Sequence, residues 1–145
     1  RYIPTLYDYC GGRLSRGVWS YIRQGIACYG WGYLGGRWYY LDPETSIMQT
    51  GWKYIGGAWY YLSSSGAMLT GWQYINGAWY YLTSSGAMAT GWQYIGGKWY
   101  YLSSSGAMLP GWQHINGKWY YLYGDGSMAA NTTIDGYYLN SQGTY

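Results

Sequence analysis

Hydrophobic and polar positions follow a pattern along this chain that returns every twenty residues. In residues 71–90, two runs at 72–75 and 78–82 are rich in aromatic and β-branched residues. Asn76-Gly77 separates them, and two strand-like runs around such a pair predict a β-hairpin with a type I′ turn. Residues 83–90 are small and polar and include a glycine, so we interpret them as a connector to the next hairpin.

Near-copies of this unit fill most of the chain. The methionines show the period, because Met48, Met68, Met88, Met108 and Met128 are twenty residues apart and are the only methionines present. A fixed period of this length indicates a repeat architecture. We therefore predict an all-β solenoid of stacked two-stranded hairpins, with repeats at 30–50, 51–70, 71–90, 91–110 and 111–130.

The turn position predicts which side chains share a face of the hairpin. Since side chains alternate along a strand, one face carries the larger aromatic residues, namely Trp72, Tyr74, Trp79 and Tyr81. The other face carries Gln73, Ile75, Ala78, Tyr80 and Leu82. Leu62, Leu82, Leu102 and tyrosines of the Tyr80 type are expected to form the core.

Both ends of the chain depart from the repeat. Residues 1–29 contain a Gly-Gly pair at 11–12, read as a turn, and a run at 19–22 that resembles residues 72–75, and they predict an irregular N-terminal cap. Residues 131–145 keep a turn and tyrosines but have Thr132 where a tryptophan is expected, and they predict a C-terminal capping repeat. A solenoid needs such atypical end units to cover its stacking faces.

Composition favours a binding surface over an ordinary core. The chain has 11 Trp and 23 Tyr but no Phe, and rings with a polar edge suit wet surfaces and pockets. The net charge of +3 is too small for a nucleic-acid-binding stripe. No apolar run is long enough to span a membrane. No signal peptide is visible in the first residues given, RYIPTL, so we expect a mature form, and a missing upstream catalytic domain stays open.

Cys10 and Cys28 are the only cysteines, and both lie in the predicted N-terminal cap. A disulfide between them fits an extracellular chain whose cap has few other core-forming residues. The alternative is a pair of free, buried thiols.

Catalysis and metal binding find little support in the sequence. The single histidine, His114, stands at a position that is tyrosine in the other repeats, so a structural role is expected. Asp125-Gly126 and Asp135-Gly136 have the composition of turns. No pair of carboxylates predicts a glycosidase cleft, and one histidine without an acidic cluster predicts no metal site. We expect neither enzyme activity nor a cofactor.

The aromatic face suggests a different chemistry. Two indoles and a phenol with a nearby methionine can hold a quaternary ammonium group by cation–π attraction, and the thioether can contact its methyl groups. Simple core packing and stacking against sugars remain alternatives at this point.

The pattern GW-x-Y-I-x-G-x-WYYL-x3-G-x-M-x-TGW, seen at residues 51–72, closely resembles the choline-binding repeats of Gram-positive surface proteins. The resemblance implies a left-handed superhelix with choline sites between consecutive repeats. It also implies a secreted protein held non-covalently at the cell surface by phosphocholine-decorated teichoic and lipoteichoic acids. A host-protein contact with an adhesin role and a choline-linked homodimer would be consistent with this family.

The resemblance places two tryptophans of one repeat, a tyrosine of the next and a methionine in each site. The first site would contain Trp31, Trp38, Tyr61 and Met48. The second and third would contain Trp52, Trp59, Tyr81 and Met68, and Trp72, Trp79, Tyr101 and Met88. The fourth and fifth would contain Trp92, Trp99, Tyr121 and Met108, and Trp112, Trp119, Met128 and Tyr138 or its neighbour Tyr137.

Three alternative functions remain. The chain is either a surface protein in its own right or the anchoring module of a cell-wall hydrolase. It could instead be a glucan- or oligosaccharide-binding repeat, although such modules need polar groups for the sugar hydroxyls.

Overall fold

The computed structural model describes residues 29–145 fully and, before them, the backbone of three strands. These are β1 (Gly12–Ser15), β2 (Val18–Arg23) and β3 (Ile26–Ala27), which form an antiparallel sheet in that order. Gly12 lies in β1, where it pairs with Tyr21, and not in the expected turn. The predicted disulfide between Cys10 and Cys28 lies outside the described residues.

From Gly30 onward the strands pair as successive hairpins, each a two-stranded antiparallel sheet. The first four pairs are β4 (Gly30–Leu34) with β5 (Arg37–Leu41), β6 (Gly51–Ile55) with β7 (Ala58–Leu62), β8 (Gly71–Ile75) with β9 (Ala78–Leu82), and β10 (Gly91–Ile95) with β11 (Lys98–Leu102). The last two pairs are β12 (Gly111–Ile115) with β13 (Lys118–Leu122), and β14 (Thr132–Ile134) with β15 (Tyr137–Leu139).

The turns have the predicted type and set the predicted register. Asn76 and Gly77 have φ values of 48° and 86°, and a two-residue loop with positive φ at both positions is a type I′ turn. In the next hairpin Trp92 pairs with Tyr101 and Tyr94 with Trp99, which is the register expected from the turn. The twist of a type I′ turn matches that of the strands, so the turn sequence fixes the pairing.

A ladder of leucines forms the core along the hairpins. Leu62, Leu82, Leu102, Leu122 and Leu139 are fully buried, and Leu41 is nearly so. The leucines that end β5, β7, β9, β11 and β13 each bridge the methionine of their own connector, as in Leu62 with Met68 and Leu102 with Met108. These bridges hold each connector against its own hairpin. The prediction that Leu62, Leu82 and Leu102 lie in the core is confirmed.

Each methionine also packs over a glycine of the following connector. A Cβ added to Gly66 would lie less than 3.0 Å from the sulfur of Met48, and Gly106 has the same relation to Met88. These glycines have φ near +88°, a conformation that other residues rarely adopt. The glycine is therefore required both by backbone conformation and by the space that the methionine occupies.

The chain divides into two compact units. One contains the strands up to Gly71 together with Ser84–Ala87, and the other contains Trp72–Thr83 with Met88–Tyr145. The predicted all-β class of stacked hairpins joined by short connectors is confirmed. In the part of the chain that is described, no helix is long and apolar enough to cross a membrane.

Candidate functional site

Two tryptophans of one hairpin form the perpendicular walls of a cavity. The ring centroids of Trp92 and Trp99 are 6.4 Å apart with an interplanar angle of 84°, and Trp31 and Trp38 have nearly the same geometry. Cross-strand neighbours fix these indoles, because Tyr101 packs edge-on against Trp92 at 5.1 Å and Tyr94 packs against Trp99 at 5.1 Å. The type I′ register is what places these rings side by side.

The third wall is a tyrosine of the next hairpin. Tyr60 lies 4.9 Å from Trp31, and the same contact joins Trp72 to Tyr100 at 4.9 Å and Trp92 to Tyr120 at 4.8 Å. These are the first tyrosines of each Tyr-Tyr pair, the type expected in the core. The second tyrosine, such as Tyr61, packs on Trp52 of its own hairpin at 5.1 Å.

Strand alternation explains why the first tyrosine closes the cavity. Tyr61 shares a hairpin face with Trp52, whereas Tyr60 points to the opposite face, which also carries Leu62. Within a unit, the tryptophan face of one hairpin meets the leucine face of the next. The ring that completes the cavity must therefore come from the leucine face.

A methionine from the next connector forms the fourth wall. Met68 lines the cavity of Trp31 and Trp38, and its backbone N–H donates a hydrogen bond of 2.8 Å to the Trp38 carbonyl. Met108 and Met128 make the same 2.8 Å bond to Trp79 and Trp99. The sequence placed Met48 in the first cavity, but the structure packs Met48 over Gly66.

Three cavities share this construction of two indoles, a phenol and a thioether, and we call them the W31, W72 and W92 cages. Their volumes are about 260, 350 and 400 Å³. The W31 cage is lined by Trp31, Trp38, Tyr60 and Met68, with Ser84 and Ser85. The W72 cage is lined by Trp72, Trp79, Tyr100 and Met108, with Gly124 and Asp125. The W92 cage is lined by Trp92, Trp99, Tyr120 and Met128, with Ser141 and Gln142.

A fourth cavity near the end of the chain, the W112 cage, is walled by four aromatic rings. It has a volume of about 510 Å³ and is lined by Trp112, Trp119, Tyr137 and Tyr145. The Tyr145 N–H donates to the Trp119 carbonyl at 3.3 Å, as methionines do in the other cages. The sequence placed Met128 and Tyr138 here, but Met128 lines the W92 cage and Tyr138 is exposed. Tyr145 was not predicted, because the last hairpin breaks the twenty-residue period.

The remaining predicted residues keep the aromatic pattern within their own hairpins. Trp59 packs against Tyr54 at 5.3 Å, and Tyr81 packs against Trp72 at 5.1 Å. Tyr121 packs against Trp112 at 5.2 Å. The second tyrosine of each pair thus supports a tryptophan of its own repeat.

Charges near the cages are few. Ser127 donates from its hydroxyl at 2.6 Å and from its backbone N–H at 2.9 Å to Asp125 Oδ1, and these bonds lower the pKa of the Asp125 carboxyl. Asp42 has a structural role, because backbone N–H groups of Thr45 and Glu44 donate to its Oδ1 and lower its pKa. His114 stacks on Trp119 at 4.8 Å in place of the usual tyrosine. No cluster of metal-ligating residues occurs within the described ranges.

Comparison with protein families gives a consistent match along the repeats. The family described as "Choline-binding repeat" matches residues 28–70, 49–90 and 69–110, and that described as "Putative cell wall binding repeat" matches residues 111–128. A search of curated proteins found no match.

Solved structures of related proteins share the fold. Choline binding protein F from Streptococcus pneumoniae, crystallised with a peptidoglycan analogue, is 47% identical with a TM-score of 0.87, over 92% of this chain and 45% of its own. The choline binding domain of Spr1274 from the same species is 47% identical with a TM-score of 0.51, over 53% of this chain and 94% of its own. The modular autolysin LytC of that species is 28% identical with a TM-score of 0.63, over 92% of this chain and 36% of its own. The chain thus spans less than half the length of choline binding protein F.

Proposed function

The chain belongs to the choline-binding repeat family, and we propose that its cages hold choline groups of teichoic and lipoteichoic acids and so anchor it to a Gram-positive cell surface. The observation that carries this proposal is the shared construction of the W31, W72 and W92 cages. In each, two indoles, a phenol and a thioether surround a space open to solvent. Among these wall groups, the faces of the aromatic rings are what attracts the positive charge of the ligand.

The chemistry of the walls fits a trimethylammonium head group. Its positive charge is spread over methyl groups, and aromatic faces attract these groups. The methionine thioether can contact the same methyl groups without any polar group of the protein being desolvated. A sugar requires hydrogen-bonding groups directed at its hydroxyls. The W112 cage has only aromatic residues in its lining, which favours the ammonium ligand over a glucan.

Several weak sites suit a polymeric ligand. A few cation–π contacts of about 0.5–2 kcal/mol each, less the cost of ordering the ligand, leave roughly 4 kcal/mol, which corresponds to an affinity of about 1 mM. Linked sites on a polymer with many choline groups can gain factors of about 10² to 10⁴ in avidity. We propose that the repeats serve this multivalent attachment, with the chain secreted and non-covalently bound at the surface.

A second candidate is the anchoring module of a cell-wall hydrolase. The observation that favours it is the similarity to LytC, a modular autolysin of which this chain matches 36%. In both candidates the cages have the same role.

Intrinsic tryptophan fluorescence tests the proposal directly. We expect a saturable change with millimolar choline, and none with sodium chloride at matched ionic strength. Competition by a glucan but not by choline would overturn the proposal in favour of sugar binding.

Substitution of one cage tryptophan tests the assignment of the site. Trp79→Ala should remove one choline equivalent in a calorimetric titration, because Trp79 forms a wall of the W72 cage and the residue is 43% exposed. The stack should remain folded, since the hydrogen bond from Met108 uses the Trp79 backbone carbonyl. Unchanged stoichiometry in a folded variant would contradict the assignment.

A further inference from the structure

The W72 cage differs from the W31 and W92 cages in carrying a carboxylate in its lining. Asp125 lines the W72 cage, whereas Ser85 occupies the equivalent repeat position in the W31 cage. The connector residues that line the W92 cage, Ser141 and Gln142, are neutral. The walls are two tryptophans, a tyrosine and a methionine in all three cages, and Asp125 is the one charged residue among the three linings.

The Asp125 side chain is held in place by a second change in the same connector. Ser127 stands where the three preceding repeats have alanine, for example Ala87. Both the Ser127 hydroxyl and its N–H donate to Oδ1, which orients the carboxylate and keeps it ionised at neutral pH. Ser127 also forms a bridge with Tyr100, a wall of the same cage. The Asp125 carboxylate is therefore held in place relative to Tyr100.

One nearby charge opposes this effect. Lys98 interacts electrostatically with Asp125 and is exposed, but it does not line the cage. A ligand inside the cavity therefore meets the Asp125 carboxylate in the lining, and Lys98 is not part of that lining. In a solvated site, a unit charge about 6 Å from a cation changes its affinity by about threefold.

We infer that Asp125 makes the W72 cage the tightest of these three sites for a cationic ligand and lets it discriminate a quaternary ammonium from a neutral molecule of the same shape. The inference rests on the proposed choline-binding function and refines it. The three cages are then not equivalent, and at low ligand concentration the W72 cage fills first.

Methionine methyl groups provide a separate signal for each cage. The full chain labelled with ¹³C at the methionine methyls can be titrated with choline at low ionic strength and followed by NMR. Met68, Met108 and Met128 report on the W31, W72 and W92 cages, and Met→Leu variants assign the signals. The second probe is 3,3-dimethyl-1-butanol, the uncharged isostere of choline.

We expect the Met108 signal to saturate at a choline concentration about threefold lower than the other two. Asp125→Asn, which keeps an oxygen for Ser127 but removes the charge, should abolish this difference and leave binding of the isostere unchanged. Conversely, Ser85→Asp combined with Ala87→Ser should tighten choline binding at Met68 by a similar factor.

Three outcomes would contradict the inference. Equal choline affinities at the three methyls would overturn it while leaving the proposed function intact. An equal loss of choline and isostere binding in Asp125→Asn would show that Asp125 only shapes the connector. No choline response at any methyl would overturn the proposed function and the inference with it.

Discussion

At the scale of single residues, two adjacent tyrosines have different roles because their side chains point to opposite faces of one strand. Tyr100 walls the W72 cage, and Tyr101 supports Trp92. We expect Tyr100→Leu to weaken choline binding at the Met108 reporter by about 0.5–2 kcal/mol, the strength of one lost cation–π contact. Tyr101→Leu serves as the matched control and should leave the Met108 titration unchanged. The reverse result would restore the sequence-based assignment of Tyr101 to this cage.

Strand alternation shows how far this part of the site could be predicted. The sequence predicted correctly that Trp72, Tyr74, Trp79 and Tyr81 share a face, because the turn fixes the parity. It did not show which face of the next hairpin would approach them. That choice depends on how hairpins stack, which is a property of packing rather than of any single strand.

The acidity of Asp125 predicts the pH dependence of one cage. Its pKa is lowered in the fold by hydrogen bonds from Ser127, so it stays ionised throughout pH 5–8. Choline affinity should therefore be flat over that range in all three cages. Below the ordinary aspartate pKa of about 3.9, the carboxyl protonates as the pH falls through its lower folded value. Affinity at Met108 should then decrease, while Met68 and Met128 stay constant in the same NMR titration.

The same protonation removes a contribution to stability. Because the folded pKa of Asp125 is depressed, its hydrogen bonds with Ser127 contribute full stability above the ordinary pKa, and this contribution is lost as the pH falls through the lower folded pKa. For choline binding, a steep change in affinity between pH 5 and 8 would contradict the expected flat profile and point to a titrating group other than Asp125.

At the scale of the connector, the glycine under each methionine predicts a difference between two alanine substitutions. Gly97 and Gly106 have φ values of 85° and 88°, so alanine is strained at both, by about 1–2 kcal/mol. An added Cβ at Gly97 meets no atom within 4 Å, whereas at Gly106 it would collide with Met88. Gly106→Ala should cost a further 1–3 kcal/mol or so from overpacking. Urea unfolding measures both variants, and equal losses would show that Met88 moves aside freely.

The terminal hairpin marks the limit of element-level prediction. Strands β14 and β15 have three residues each, whereas strands β12 and β13 of the preceding hairpin have five residues each. The shorter strands bring Tyr137 to 5.9 Å from Trp112, and Tyr145 packs against Tyr137 at 4.7 Å. Asp135 accepts a 2.9 Å hydrogen bond from the Trp112 indole. An alignment of the repeats cannot predict these contacts, because Tyr137, Tyr145 and Asp135 have no equivalents of the same residue type in the twenty-residue repeat.

At the scale of the whole molecule, repetition of weak cages predicts that attachment depends on their number. The W31, W72, W92 and W112 cages each have their own tryptophan walls, so one can be disabled without altering the walls of another. The sequence period predicted several such sites, one for each of the five repeats, since each repeat supplies a pair of tryptophans.

We expect removal of successive cages to weaken binding to a choline-bearing polymer far more than binding of free choline. Trp38→Ala, Trp79→Ala and Trp99→Ala, combined stepwise, should each remove one equivalent of free choline without changing the affinity of the rest. Retention on a choline-substituted matrix should instead fall at every step, toward the loss of an avidity of about 10² to 10⁴. Asn76→Gly, which matches the natural turn residue Gly56, is the control and should keep full retention. Retention that does not change until the last of these three substitutions would show that the cages do not act together on the polymer.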